Sequence, residues 1–303
     1  MGAPSLRRPR RPDLGGVTWA AITAAAMAIA LVLVARGGGG EGGSRPGGAL
    51  GHVHGMGLDP GDGDLYVATH LGLFRLGEDG GLAQVGQLRQ DTMGFTVVGP
   101  SHFLASGHPD VRDQRLRVPG RPPLLGLIES RDGGRSWASV SLLGEADFHS
   151  LLTAHGSVYG YDATGSRFMV AGPGGDWEER SIVALGAFTV DPADGDHVVA
   201  TTPAGLTQSS DGGRTWAATE GPALSMISWD AAGGFWGVTP EGGAYRYQAG
   251  RWEPRASVRG RPEALLATKG LVLVATATAT GSAVYVSSDD GRSWRQRYWP
   301  PPS

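Results

Sequence analysis

Near the start of its β-rich region the chain reads HVHGM, which places His52, His54 and Met56 two residues apart. On a regular strand, residues spaced by two share one face, so two imidazoles and a thioether would point the same way. Such a set can coordinate a transition metal. The thioether favours copper, while imidazole together with carboxylate also suits zinc. Met93, His108 and His149 are further candidates for the same site, with Met93 two residues after Asp91 in the stretch DTMGF. The alternative use of these histidines is to hydrogen-bond one another and line a wet channel.

A second chemistry is open to the carboxylates. Asp91, Glu145 and Asp147 are candidate catalytic groups with Tyr161, and Asp162 and Glu241 accompany them. Glycoside hydrolysis needs two carboxylates flanking the scissile bond, and a sialidase uses a tyrosine nucleophile with arginines for the substrate carboxylate. Arg89, Arg115, Arg117 and Arg121 lie in or beside the segment GHPDVRDQRLRVPGRPPL at 107–124, which could equally be a docking loop or a solvated surface loop. The chain has no G-x-S-x-G, P-loop or dinucleotide fingerprint.

The elements that must position these groups announce themselves by repetition. SRDGGRSW at 130–137 returns as SSDGGRTW at 209–216 and as SSDDGRSW at 287–294. Asp132, Asp211 and Asp289 stand 79 and 78 residues apart, which is a structural period; one active site needs one set of groups. The motif therefore reads as scaffold, carried by Ser130, Asp132, Gly134 and Trp137, by Ser209, Asp211, Gly213 and Trp216, and by Ser287, Asp289, Gly291 and Trp294. In a tight hairpin the Asp accepts backbone N–H bonds, the Ser closes the turn, Gly takes positive φ and Trp packs on the neighbouring unit.

The true period is half as long. Trp137, Trp177, Trp216, Trp252 and Trp294 recur about every 40 residues, and GLDPGDGDLYVAT (57–69) matches TVDPADGDHVVAT (189–201). Short apolar strands broken by Gly, Asp and Pro, with no helical stripe, give an all-β class. The expected fold is a six-bladed β-propeller over residues 52–299, with units beginning near His52, Asp91, Asp147, Leu185, Leu224 and Pro262, four strands (A to D) per blade and the motif in the C–D hairpin. The segment 107–124 falls between strands B and C of the second unit. In such a ring the D–A and B–C connections share one face. His52, His54, His70, His108 and His149 then fall on that face, and His102, His155 and His197 on the other.

Composition limits the function classes. A net charge of −3 with no basic footprint outside the N-terminus argues against nucleic acid. The absence of cysteine excludes disulfides, thiolate chemistry and Cys-based zinc sites. Arg7, Arg8, Arg10 and Arg11 in a basic segment (1–16) precede the apolar run 17–35, which approaches the roughly 20 residues that span a bilayer. That run reads as an uncleaved transmembrane signal-anchor with the arginines inside. The Gly-rich stretch 36–51 reads as a flexible tether, placing the propeller at the cell membrane on its extracytoplasmic side.

The three S-x-D-x-G-x-[ST]-W copies resemble the Asp-box (BNR) repeat superfamily, which includes sialidases, Vps10-type propellers, the photosystem II assembly factor and bacterial membrane-anchored members labelled glycosyl hydrolases. The resemblance covers residues 52–297. It implies the propeller fold and leaves the activity open. The sialidase arginine motif F/Y-R-I-P has no counterpart, the nearest text being LFRLG at 73–77. The expected function is a ligand- or metal-binding module, with copper or zinc as candidate ions. An exo-glycosidase on the same face and a protein-assembly scaffold are the alternatives, and the candidate partners are the membrane and a small-molecule, glycan or protein ligand.

Overall fold

The computed structural model describes residues 49–268 and 270–301. The expected basic segment, signal-anchor and most of the tether lie outside the described residues. Among the described residues no helix is long and apolar enough to cross a membrane.

Six separate four-stranded antiparallel sheets follow one another along the chain, each built from four consecutive strands in the order A-B-C-D. In the first blade these are Val53–Leu58, Leu65–Thr69, Gly72–Leu76 and Leu82–Gln84. The A strands of the other blades are Asp91–Gly99, Phe148–Ala154, Phe188–Asp191, Met226–Trp229 and Arg261–Thr268. Each A strand packs against the A strand of the next blade, and the last packs against the first. The result is a six-bladed propeller with its A strands around a central channel. Blade boundaries fall where the internal repeats place them.

The core consists of seams between blades. Trp137, Trp177, Trp216, Trp252 and Trp294 each stand within one residue of the start of a D strand and pack into the seam with the preceding blade, from blade 1–blade 2 through blade 5–blade 6. Indole N–H groups reach across. Trp177 Nε1 donates to Ser141 Oγ, Trp216 Nε1 to Ser181 Oγ, both at 2.9 Å, and Trp294 Nε1 to the Ala256 carbonyl at 2.6 Å. A half-buried aromatic with its polar tip satisfied contributes both area and orientation, which is why the repeat keeps Trp even where the rest of its motif has degraded, at Trp177.

The three full motifs fold alike. In the second, Ser209 Oγ donates to Asp211 Oδ1 at 2.7 Å and accepts the Gly213 amide at 2.8 Å, while Asp211 accepts the Thr215 amide at 2.9 Å and its hydroxyl at 2.6 Å. Ser130, Asp132, Gly134 and Ser136 repeat this wiring, as do Ser287, Asp289, Gly291 and Ser293. Gly213 has φ of 93°, and a Cβ there would lie 2.2 Å from the Phe168 ring of the preceding blade. Glycine is required twice over at that point.

The sixth seam is different. It joins blade 6 to blade 1 with Met56, Phe74, Leu273, Val284 and Tyr298 among its buried residues, and it holds no tryptophan among the described residues. No strand is shared across it. Closure falls instead to residues 49–53, expected in part as the end of the tether. Leu50 is fully buried there, and its carbonyl accepts the Ser282 amide at 2.9 Å. The Glu263 carboxylate accepts the Val53 amide at 3.2 Å and the Ser282 hydroxyl at 2.6 Å. Leu50 and Gly51 are thus part of the packing at this seam.

Candidate functional site

The channel bears a cavity of about 570 Å³ lined by the A strands of all six blades, with His54 and His149 on its wall. Its donor groups come from one recurring backbone device. Pairing between strands A and B skips a residue between Val53 and Gly55, between Thr92 and Gly94, between Phe148 and Ser150, and between Pro262 and Ala264. The skipped residues are His54, Met93, His149 and Glu263. A bulge releases one residue from the ladder and re-aims its side chain. Four blades thus use the same position, at the mouth end of strand A, to present a special residue. In blades 4 and 5 the described pairing has no bulge at that end.

Around these positions five imidazoles and three carboxylates form a connected series from blade 6 to blade 3. His52 Nδ1 lies 2.7 Å from Glu263 Oε1. The His52 and His54 rings meet edge-on at 4.7 Å between centroids, and the His54 and His70 rings at 4.2 Å. His70, presented by the two-residue turn between strands B and C of blade 1, reaches Asp91 Oδ1 at 2.8 Å. His108 pairs with Asp91 across strands A and B of blade 2; its Nδ1 stands 3.6 Å from Asp91 Oδ2 and its Nε2 3.6 Å from Asp147 Oδ2. His149 Nε2 closes the series on Asp147 Oδ2 at 2.9 Å.

The electrostatics follow from this crowding. Burial, reinforced by the neighbouring His70 and His52 rings, pulls the His54 pKa down to about 3, so this imidazole is neutral across the physiological range. Its Nε2 is buried with no hydrogen-bond partner. Burial opposes ionisation of Asp91, yet His108 and His70 outweigh it and hold the carboxyl well below the usual range. The facing Asp91 carboxylate in turn raises His108. His54, His70 and Asp91 bring one ligand atom each to within 4.8 Å of one another, a spacing compatible with one metal ion.

Of the six metal ligands expected from the sequence, His54, His108 and His149 lie in the series, and His52 joins it through Glu263. Met56 packs into the blade 6–blade 1 seam with Leu65, Val67 and Ala264, because the bulge at His54 breaks the spacing-by-two that would have aligned it with the histidines. Met93 occupies the bulge of blade 2. His70 and Glu263 belong to the series although spacing does not select them; Glu263 stands at the same bulge position as His54. On the opposite side, His155 Nε2 donates to the Asp191 carbonyl at 2.8 Å, His197 lies 3.1 Å from the Asp191 carboxylate, and His102 pairs with Glu129.

Among the candidate catalytic groups, Asp91 and Asp147 sit at the mouth, engaged by imidazoles. Glu145 is exposed and pairs with Arg121 of the insertion. Tyr161 is buried in the blade 3–blade 4 seam. Asp162 is fully buried and holds the Asp147 amide at 2.9 Å together with Thr164 and Arg167, a positioning task. The insertion carries a 3-10 turn at Gln114–Leu116 and ties Arg112 and Arg115 to its own Asp110 and Asp113.

The chain matches no family model and no curated protein by sequence. In shape it is similar to a gluconolactonase from Xanthomonas campestris, with a TM-score of 0.59 and 11% identity over 75% of this chain and 83% of that one. A second structure described as a gluconolactonase gives 0.61 and 13%, covering 84% and 92%. A chain of the nidogen/laminin complex gives 0.56 and 14%, covering 74% and 88%. What they share with it is the fold. At such identities a common propeller carries no activity from one protein to another.

Proposed function

We propose that the chain is a membrane-anchored, extracytoplasmic propeller of the Asp-box type that binds a transition-metal ion, copper ahead of zinc, at the mouth of its channel through His54, His70 and Asp91. One observation carries this reading: His54, neutral and with its buried Nε2 unpartnered, brings a ring nitrogen to ligand spacing with a second imidazole and an ionised carboxylate. A buried polar atom left without a partner calls for an explanation, and an ion supplies one. Copper precedes zinc on nitrogen ligands by the Irving–Williams order. Support for the Asp-box relationship lies in the shared wiring of the three motifs, and for the anchor in the basic segment ahead of an apolar run of spanning length.

The glycosidase reading has less behind it. Asp91, held below the usual carboxylate range, has no proton to give a leaving group near neutral pH, and Tyr161 is committed to a seam.

The test is a titration of the full chain in detergent with CuCl2 and ZnCl2, followed by calorimetry. Binding should be lost in the His54→Ala/His70→Ala double variant and retained in His155→Ala/His197→Ala, with circular dichroism confirming that both are folded. Failure of either metal to bind more tightly than roughly 10 μM, about 7 kcal/mol, overturns the proposal.

A further inference from the structure

We infer that the mouth face of the propeller docks on an anionic lipid surface, on the side formed by blades 6, 1, 2 and 3. The inference rests on the proposed anchor and says which face of the propeller meets the bilayer. Among the described residues the exposed large hydrophobics are Leu71, Val111, Val140, Ile182, Tyr247 and Trp299. Scattered singly, such residues need no explanation. Four of them, however, lie at connections on one face. Leu71 is in the B–C turn of blade 1 and Val111 in the B–C insertion of blade 2, while Ile182 ends strand D of blade 3 and Trp299 follows strand D of blade 6. Val111 is 77% exposed and Ile182 73%, so neither serves a seam.

Charge follows the same arc. Arg89, Arg259 and Arg261 are exposed at the entrances to strands A of blades 2 and 6, and they form no ion pair among the described residues. Arg89 stands beside the turn that carries Leu71, its Cα 3.3 Å from where a Cβ on Gly72 would lie. Glu145, exposed on this arc, is paired with Arg121. The other exposed acids at connections of this face, Glu220 and Glu241, belong to the side of blade 5, opposite blade 2 in the ring. Apolar tips with an indole among them, interspersed with free guanidinium groups, suit the boundary between anionic headgroups and acyl chains.

The chain itself enters on this face. A Cβ on Gly281, at the B–C turn of blade 6, would meet the Leu50 carbonyl, Ala49 and Pro300, and one on Gly51 would lie 3.4 Å from Leu71. Residues 36–48, which join Ala49 to the apolar run 17–35, reach at most about 45 Å when fully extended. A bilayer holding that run is therefore within reach of the mouth face. Contact with lipid becomes an intramolecular event, for which a patch of modest affinity suffices.

Labels can read the face directly. The chain has no cysteine, so one environment-sensitive fluorophore can be placed at a single substituted site. The full chain is reconstituted into phosphatidylcholine vesicles that contain phosphatidylglycerol and a nitroxide-labelled lipid. The fluorophore is carried by Val111→Cys or Ile182→Cys on the mouth face, or by Tyr247→Cys or Ala193→Cys on the opposite face. All four positions are exposed, and circular dichroism checks that each variant keeps the wild-type fold. The expected result is a blue shift and nitroxide quenching at the Val111 and Ile182 sites only. Both effects should shrink when phosphatidylglycerol is omitted or when Arg89→Glu and Arg259→Glu are combined. Mouth-face labels that stay in water while the chain resists alkaline extraction overturn the docking, leave the anchor standing and assign the patch to a protein partner. Extraction of the chain overturns both. Equal quenching on the two faces, or quenching indifferent to phosphatidylglycerol, also overturns the inference.

Discussion

Removing one hydroxyl tests the role of the repeated motif. Ser209 is 2% exposed, and its Oγ accepts the buried Gly213 amide at 2.8 Å while donating to Asp211 at 2.7 Å. In Ser209→Ala the Gly213 N–H is stranded at a point where Gly213 presses against Phe168, leaving little room for water. A buried donor without a partner costs about 1–3 kcal/mol. Asp211 loses a donor too, but it retains the Thr215 amide and hydroxyl and the Arg214 amide, so this second loss is small. Together the expected destabilisation is about 2–3 kcal/mol, or about 4–6 °C in Tm for a domain of this size. Differential scanning calorimetry of the metal-free chain in detergent measures it, with the exposed Ser139→Ala as control expected within about 0.5 kcal/mol of wild type. Ser130→Ala and Ser287→Ala should behave like Ser209→Ala. A scaffold role is refuted if Ser209→Ala melts with the wild type, or if it does so while copper binding disappears, since the motif would then serve the ligand and not the fold.

Two further expectations concern acid and topology. Ser293 holds the Asp289 pKa down to about 2, and Thr215 holds Asp211 lower still; burial opposes ionisation of Asp132, yet Ser136 outweighs it and depresses that carboxyl too. Unfolded aspartates titrate near 3.9, so these groups stabilise the fold above about pH 4 and lose that contribution as pH falls toward 2. Tm measured against pH should therefore drop steeply in that window, and an Asp289→Asn variant should show a shallower fall; equal slopes would count against the linkage. For topology, protease added to intact spheroplasts should remove the propeller, and a protected or freely secreted domain would reject the anchor.

The fold is legible because the sequence repeats itself. Six units, their order and the C–D position of the motif follow from Trp spacing and duplicated text, which report covalent periodicity directly. The site is legible only by face. Sorting histidines by loop gathers His52, His54, His70, His108 and His149, but the finer claim that His52, His54 and Met56 align assumes an unbroken pleat. A bulge is a property of the pairing of two strands, invisible in either one alone, and it sends His54 to the channel and Met56 to the seam. Spacing cannot pick out Glu263, because it stands 211 residues from His52 and becomes its neighbour only when the ring closes. Leu50 is hidden by its Gly-rich surroundings.

Closure without a shared strand has a thermodynamic consequence. Every blade keeps its own hydrogen-bond ladder whether or not the circle is complete, so parting blade 6 from blade 1 sacrifices side-chain packing and the few bonds made by residues 49–53, and no ladder. The sixth seam, which holds no tryptophan among the described residues, is the natural place for the ring to breathe. Opening there separates Glu263 from His52 and loosens the blade that carries His54 and His70. The ion proposed between blades 1 and 2 would prefer the shut form, and whatever favours the shut form would then raise affinity for that ion by an equal factor. The mouth of the channel is in this sense a gauge of whether the propeller is closed.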